Sequence, residues 1–359
     1  MTRHKQEQDP ATDTIEDLGS GVLRTQLPVN FTGLGHVNMY VLLDRNGAAV
    51  VDPGMPRRSS YRAVVDRLGR CGLRVRDVHT VIVTHAHPDH FGGAGRLAEE
   101  SGAALLAHRS FRIPWLRGAE PDVVADDDEL GHGVDATAAG LRVPWRAPSD
   151  RLPPPGLSRE LPAPARRLAF ALMQRVMRPP QPTRTLDDGD HLTLCDDEWT
   201  VLHTPGHTGD HICLHNPSSG LFLSGDHVLP SITPHISGME AGADPLDSYF
   251  GALRRVAELP TSTKVFPAHG QPFGGLAERV SAILAHHEVR LARLEAIAGE
   301  IGAATVTTYT SELFPARHQG LMAESETFAH LEHLRRKGAL TVERGEVLRY
   351  RLSAPAATR

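Results

Sequence analysis

An α/β fold is the class the sequence predicts, and three observations carry the prediction. Short apolar runs rich in Val, Ile and Leu recur between Gly, Asn and Asp, as strands do. Segments with apolar residues three and four apart fall between some of those runs, as helices do. Residues 301–359 follow neither arrangement and read as helix, helix and hairpin.

Residues 1–19 are polar, carry Asp9, Asp13, Glu16 and Asp17, and hold no apolar segment of a secretory signal, so they read as a disordered lead-in. Strands are expected at Val22–Val29, Met39–Leu43 and Ala48–Val51. Tyr61, Val64, Val65 and Leu68 share one face of a helix at Ser59–Leu68, with Gly69 and Gly72 as stop signals. A buried strand at Val78–Thr84 is followed by a short helix at Ala94–Glu100 and a strand at Ala103–Ala107. Residues 141–184 interrupt this order with ten prolines and with nine arginines against Asp150 and Glu160, around one amphipathic segment, Ala165–Met177. An irregular insertion of that length in a compact domain needs a purpose, and a lid is one.

Strand-like runs resume at Leu192–Leu194, Trp199–His203, Ile212–Leu214, Leu221–Leu223 and Val265–Phe266, with helices at Pro245–Glu258 and from Leu276 to about Ala298. Tyr309–Leu313 and Ala323–Lys337 are expected helices, and Leu340–Val342 and Val347–Leu352 flank a turn at Arg344-Gly345, which is the winged-helix order. The expected domains are therefore a catalytic one over 20–300, with its insertion at 141–184, and a small one over 301–359.

Bulk properties narrow the partners. The net charge of −5 exerts no pull toward nucleic acid or anionic membrane. In 301–359, eight basic side chains face six acidic ones, a weak footprint for tracking phosphates. Cys71, Cys195 and Cys213 form no CxxC pair and suit a reducing compartment. With no run of eighteen apolar residues, the expectation is a cytoplasmic protein acting on a small molecule, without a membrane partner. Nothing in the sequence speaks against a homodimer.

The chemistry concentrates in Thr84-His85-Ala86-His87-Pro88-Asp89-His90, directly after an apolar run. Scattered histidine means little in a chain with 21 of them, but three imidazoles and a carboxylate in one turn can converge on a cation. Further candidates follow other apolar runs: His207 and His211 in Gly206-His207-Thr208-Gly209-Asp210-His211, Asp226 and His227 in Ser224-Gly225-Asp226-His227, and His269 in Ala268-His269-Gly270.

The series H-x-H-x-D-H, G-H-T, S-G-D and A-H-G, in this order, resembles the metallo-β-lactamase superfamily of binuclear metallohydrolases over about residues 20–290. The resemblance implies an αββα sandwich with two divalent metals at one edge of the β-layers. Carried onto this chain, it implies that His85, His87 and His207 hold one metal, that Asp89, His90 and His269 hold the other, and that Asp226 bridges them. Asp52, in Asp52-Pro53-Gly54, is the implied carboxylate that orients a ligating imidazole. Donors without thiolate suit Zn²⁺ and tolerate Fe or Mn. Asp89 is also the candidate for orienting the nucleophile and carrying a proton to the leaving group, while His227 and His211 are candidates for the layer behind the metals or for a substrate wall.

Three substrate classes are consistent with the resemblance. The G-H-T-x-x-H and S-G-D-H steps are similar to the glyoxalase-II-like branch and imply an ester or thioester of acyl-CoA or acyl-glutathione type, with the arginine-rich insertion meeting an anionic carrier. A lactonase is the first alternative, although Leu229 stands where those enzymes carry tyrosine. A ribonuclease or phosphodiesterase using the winged-helix-like end is the second.

Overall fold

A computed structural model describes residues 4–31, 33–113, 135–137, 140–147, 149–150, 162–239 and 244–354. The chain divides into two units. One comprises Met1–Ile113, Val176–Pro234 and Gly251–Ser281, and the other Pro114–Arg175, His235–Phe250 and Ala282–Arg359.

In the first unit, β1 (Ile15–Asp17), β2 (Val22–Phe31), β3 (Leu34–Asp44) and β4 (Gly47–Val51) form an antiparallel run. The chain then passes through α1 (Arg58–Arg70) to β5 (Val78–Ile82), and through α2 (Pro88–Phe91) and α3 (Ala94–Ser101) to β6 (Ala104–His108), with β4, β5 and β6 parallel. In the second unit the chain makes β7 (Asp135–Thr137), β8 (Gly140–Arg142) and α4 (Ala163–Val176). It then returns at β9 (Arg184–Leu186), which completes the seven-stranded sheet β1-β2-β3-β4-β5-β6-β9. A second sheet runs β10 (His191–Leu194), β11 (Asp197–His203), β12 (Ile212–Asn216), β13 (Leu221–Gly225) and β14 (Lys264–Pro267), antiparallel except for the parallel pair β13 and β14.

Alternate residues weld the two sheets together. Tyr40 and Leu42, Ala49 and Val51, Ile82 and Leu106 from one sheet share a buried cluster with Leu192 and Leu194, Trp199 and Val201, Ile212 and Leu214, Leu221 and Leu223 from the other. Side chains two apart on a strand share a face, so this pattern places the sheets face to face. The outer face of the first sheet is covered by helices: α1 buries Tyr61, Val64 and Leu68, and α3 buries Ala94 and Leu97. The architecture is the layered αβ/βα sandwich.

Local chemistry moves some expected boundaries. Gly69 lies inside α1 and does not stop it. The stop is at Gly72, three residues later, where Leu73 N–H reaches Leu68 O and Gly72 takes φ +78°, a left-handed helix end that glycine adopts without penalty. Residues 4–19 are not a loose lead-in. Glu7 is fully buried, its carboxylate accepts hydrogen bonds from the N–H groups of Ser231 and Ile232, and β1 pairs with β2.

The second unit has its own core. In it α5 (Pro245–Ala257) contributes its first six residues and α6 (Leu276–Ile301) the part after Ser281. The chain continues through β15 (Ala304–Thr305), α7 (Val306–Leu313), α8 (Leu321–Arg336), β16 (Leu340–Glu343) and β17 (Arg349–Leu352), with the three short strands ordered β15-β17-β16. Helix, helix and hairpin follow the expected order, but the boundary at 301 does not hold. Val143, Trp145, Leu294, Ile297 and Ala298 lie in one buried cluster with Val306, Tyr309, Phe328, Leu331 and Tyr350.

The insertion therefore contributes to a core as well as to a surface. Arg146 is held by Glu324 and Asp150, whereas Leu168 and Leu172 of α4 are 64% and 56% exposed, so the predicted apolar face of that helix is only partly covered. The expected insertion residues 148 and 151–161 lie outside the described residues. No described helix is long and apolar enough to cross a membrane.

Candidate metal centre

Five loops at strand ends assemble the site. Asp52 follows β4, residues 84–90 follow β5, His207 lies between β11 and β12, Asp226 follows β13, and His269 follows β14. Two bonds tie the loops across the sheets, Ile212 N–H to Thr84 O at 2.9 Å and Asn38 N–H to Ala268 O at 2.6 Å, and within the second sheet Ala268 N–H donates to Gly225 O at 2.9 Å. Pro88 opens α2 at its first turn, where its missing N–H costs nothing, and that single turn carries Asp89 and His90.

All seven predicted ligands come together, in two groups. His85, His87, His207 and Asp226 offer donor atoms within 4.8 Å of one another, and Asp89, His90 and His269 do the same. In the first group His85 Nε2 lies 2.9 Å from His87 Nδ1, which lies 3.0 Å from His207 Nε2. Asp226 reaches both groups: its Oδ2 is 3.4 Å from His207 Nε2 and 3.6 Å from His90 Nε2, and its Oδ1 is 3.3 Å from His269 Nε2. Asp89 Oδ2 stands 3.5 Å from His269 Nε2 and keeps 15% of its side chain exposed.

An outer layer sets the imidazole orientations. Asp52 accepts from His90 Nδ1 and from Thr84 Oγ1, both at 2.8 Å, and Thr84 Oγ1 in turn takes a hydrogen bond from His85 Nδ1 at 3.0 Å. One carboxylate thus fixes the tautomers of two imidazoles and leaves each Nε2 free to bind a cation. His269 Nδ1 donates to His36 O, and His36 is itself held between Asp9 O and Gly270 N–H. His211 Nε2 accepts from the N–H of Asp226 at 3.0 Å while its Nδ1 donates to Thr204 Oγ1 at 2.7 Å. It is therefore a prop under the bridging residue.

The electrostatics suit cations. Burial pushes the Asp226 carboxyl up, but His269, His90 and His207 overcome this and hold it well below the usual range. Burial, then His90 and His87, hold His85 well below an ordinary histidine. His90 Nε2, His269 Nε2 and Asp226 Oδ1 are buried with no hydrogen-bond partner. Each such orphan costs about 1–3 kcal/mol, and all three are among the atoms that would ligate. A nitrogen and oxygen donor set of this kind fits borderline divalent cations.

His227 does not form a substrate wall. It is fully buried, it bonds to the backbone of Ala252, and burial above all drives its pKa down to about 3. Sequence reasoning missed Thr84, Thr204 and the docking of Asp9 on His36. A hydroxyl before a histidine carries too little signal, and Asp9 acts through its backbone carbonyl. At Gly225 (φ +50°) an added Cβ would lie 2.6 Å from His211 Nε2, so the missing side chain makes room for the prop.

Comparison with known proteins agrees with this geometry. A family model described as the metallo-beta-lactamase superfamily matches residues 32–269. The probable metallo-hydrolase YqjP of Bacillus subtilis is 26% identical over 337 residues, which span 91% of this chain and 95% of that protein. The acyl-coenzyme A thioesterase MBLAC2 of Bos taurus is 26% identical over 76% of this chain and 85% of its own length. A hydroxyacylglutathione hydrolase of Idiomarina loihiensis is 36% identical over 63% of this chain and 57% of its own. Among solved structures, a beta-lactamase domain protein from Burkholderia ambifaria superposes with a TM-score of 0.73 at 26% identity, covering 96% of each chain.

Proposed function

The chain belongs to the metallo-β-lactamase superfamily of hydrolases, and from that membership we propose that it is a binuclear metallohydrolase cleaving a thioester or ester, of acyl-CoA or acyl-glutathione type. The observation that carries the reading is Asp226, whose two carboxylate oxygens face both ligand groups at once. His85, His87 and His207 would hold one divalent cation, Asp89, His90 and His269 the other, and Asp226 would bridge; zinc suits the donors best, with iron or manganese as alternatives.

When bound, the two cations would supply Lewis acidity, lowering the pKa of water and polarising a carbonyl. The protein's own groups do the rest. Asp52 keeps His90 in the tautomer that presents Nε2, and through Thr84 it does the same for His85. His211 holds the Asp226 backbone in place. Asp89, partly exposed and 3.5 Å from His269, would orient the attacking water and pass its proton to the departing thiol or alcohol.

Two relatives support the thioester class, since one is named for acyl-coenzyme A and another for hydroxyacylglutathione. Leu229, 2% exposed, brings no hydroxyl to the position where lactonases carry one. Of the insertion's arginines, the candidates for an anionic carrier, Arg175 and Arg178 are exposed, whereas Arg146 is already committed to Glu324. We read residues 304–352 as winged-helix-like. Its basic run does not favour a nuclease, because Arg335 pairs with Glu332 and Lys337 with Asp247.

The test is a panel of an acyl-CoA, an acyl-glutathione, a lactone, a phosphodiester and a cephalosporin, assayed with the zinc-loaded protein and with Arg175→Ala/Arg178→Ala. Thioesters should give the highest kcat/KM, and the double variant should raise KM for acyl-CoA severalfold while sparing a small neutral ester. A lactone or phosphodiester turned over tenfold better than either thioester would overturn the assignment.

A further inference from the structure

A further group of metal-type donors lies wholly in the other unit. His287 of α6 and Glu326 and His330 of α8 offer donor atoms within 4.8 Å of one another, as close as in the two groups already described. Glu326 and His330 are four residues apart and so project from one helix face. His330 Nδ1 donates to Glu326 O at 2.7 Å, which fixes the tautomer and leaves the lone pair on Nε2. That Nε2 faces His287 Nδ1 at 3.0 Å. The same nitrogen-to-nitrogen approach, 2.9 and 3.0 Å, joins His85, His87 and His207 in the candidate metal centre.

We propose that His287, Glu326 and His330 form a third, structural metal site for a borderline divalent cation such as Zn²⁺, with His235 as a fourth donor, and that it staples α6 to α8. His235 Nδ1 lies 3.5 Å from Glu326 Oε2, and Arg290 holds the other carboxylate oxygen. Two histidines and one carboxylate, with a further imidazole beside them, are the donor types of a four-coordinate zinc site. His287 and His330 are both fully buried. Burial is the first cause that holds their pKa values down, to about 3 and about 4, so both are neutral at pH 7 and keep a lone pair. Glu326 is held ionised, by His235 and Arg290 against the effect of burial.

A plain histidine pair explains the cluster less well. If His287 Nδ1–H donates to His330, then His287 Nε2 carries a lone pair in the core, and that atom has no hydrogen-bond partner. With a cation on Nδ1, the proton moves to Nε2, on a ring that packs edge-on against Tyr249 and Phe250 at centroid distances of 5.7 and 5.8 Å. A weak N–H to π contact is then open to it. The site is independent of the hydrolytic reading, since none of its residues belongs to the candidate metal centre.

Zinc-edge anomalous diffraction from crystals of the full chain grown with Zn²⁺ tests this directly, alongside zinc content by mass spectrometry. The expected result is a peak between His287 and His330 and three zinc ions per chain, falling to two in His330→Ala. Glu326→Gln, which keeps the side-chain shape, should lower occupancy at this peak alone. Asp226→Ala should keep the peak while losing metal at the other centre, which separates the two readings. Absence of the peak in the wild-type chain, or three ions retained in both His330→Ala and Glu326→Gln, would overturn the proposal.

Discussion

Asp52 shows how much one side chain can govern without itself being a ligand. It sits at φ +54°, a conformation asparagine and aspartate adopt more readily than other side chains, and it holds Thr84 by two bonds and His90 by one. Asp52→Asn keeps that backbone conformation but removes the anionic acceptor. Zinc affinity should fall by about 10–100-fold, read by competition with a chromophoric chelator, with little change in the thermal midpoint. Unchanged affinity would remove Asp52 from the orienting role. At this scale the sequence was highly legible. Metal chemistry admits few residue types, so His85, His87, Asp89, His90, His207, Asp226 and His269 stood out, and all seven converge. Thr84 did not stand out, because a hydroxyl relay needs only a common residue in the right rotamer.

Among the elements, two glycines of opposite meaning give a paired test. Gly225 ends β13 in the left-handed region, with His211 where a Cβ would go. Gly225→Ala should destabilise by about 1–3 kcal/mol through overpacking, and because it shifts Asp226 it should lower metal content as well. Gly69 lies within α1 with nothing within 4 Å of its added Cβ. Gly69→Ala should stabilise by about 0.4–1 kcal/mol, since it restricts the unfolded chain without strain in the folded one. Thermal or urea unfolding checks both signs, and a stabilising Gly225→Ala would remove the close-packing account of the β13 end. Strands and helices were legible where period 2 or 3.6 was clean. The role of each glycine was not, because only the folded chain shows what its missing Cβ leaves room for.

On the scale of the molecule, the sandwich could be read from alternation, since each inward pair such as Tyr40 and Leu42 reports its own burial. The second core could not. Trp145 meets Phe328 and the end of α6 across long stretches of chain, and no local pattern announces such a meeting.

Stability against pH is also a property of the whole. His108, 5% exposed, is pushed down to about 4 by burial first and by the neighbouring His203 second. Unfolded, it titrates near 6.5. The unfolded chain therefore binds the extra proton between those values, so this contribution is complete above pH 6.5 and is lost as pH falls toward 4, by at most about 1.4 kcal/mol per pH unit. His108→Gln should show a shallower loss of stability than the wild type over that window in urea titrations at several pH values. Equal slopes would show that His108 does not carry the effect.

The buried Glu7 has a consequence for how the molecule comes into being. Its carboxylate closes on Ser231, 224 residues downstream, and its neighbour Gln6 on Gln271, 265 residues downstream. During synthesis the segment around Glu7 must therefore wait for the loops at Ser231 and Gln271 before it can dock. Contacts of such long range form late because their loop closure is costly. The layer behind His269, which runs from Asp9 through His36, is then completed only after synthesis has passed that histidine. Metal capture at the candidate centre would then be timed by the arrival of that loop and not by the birth of the histidine turn.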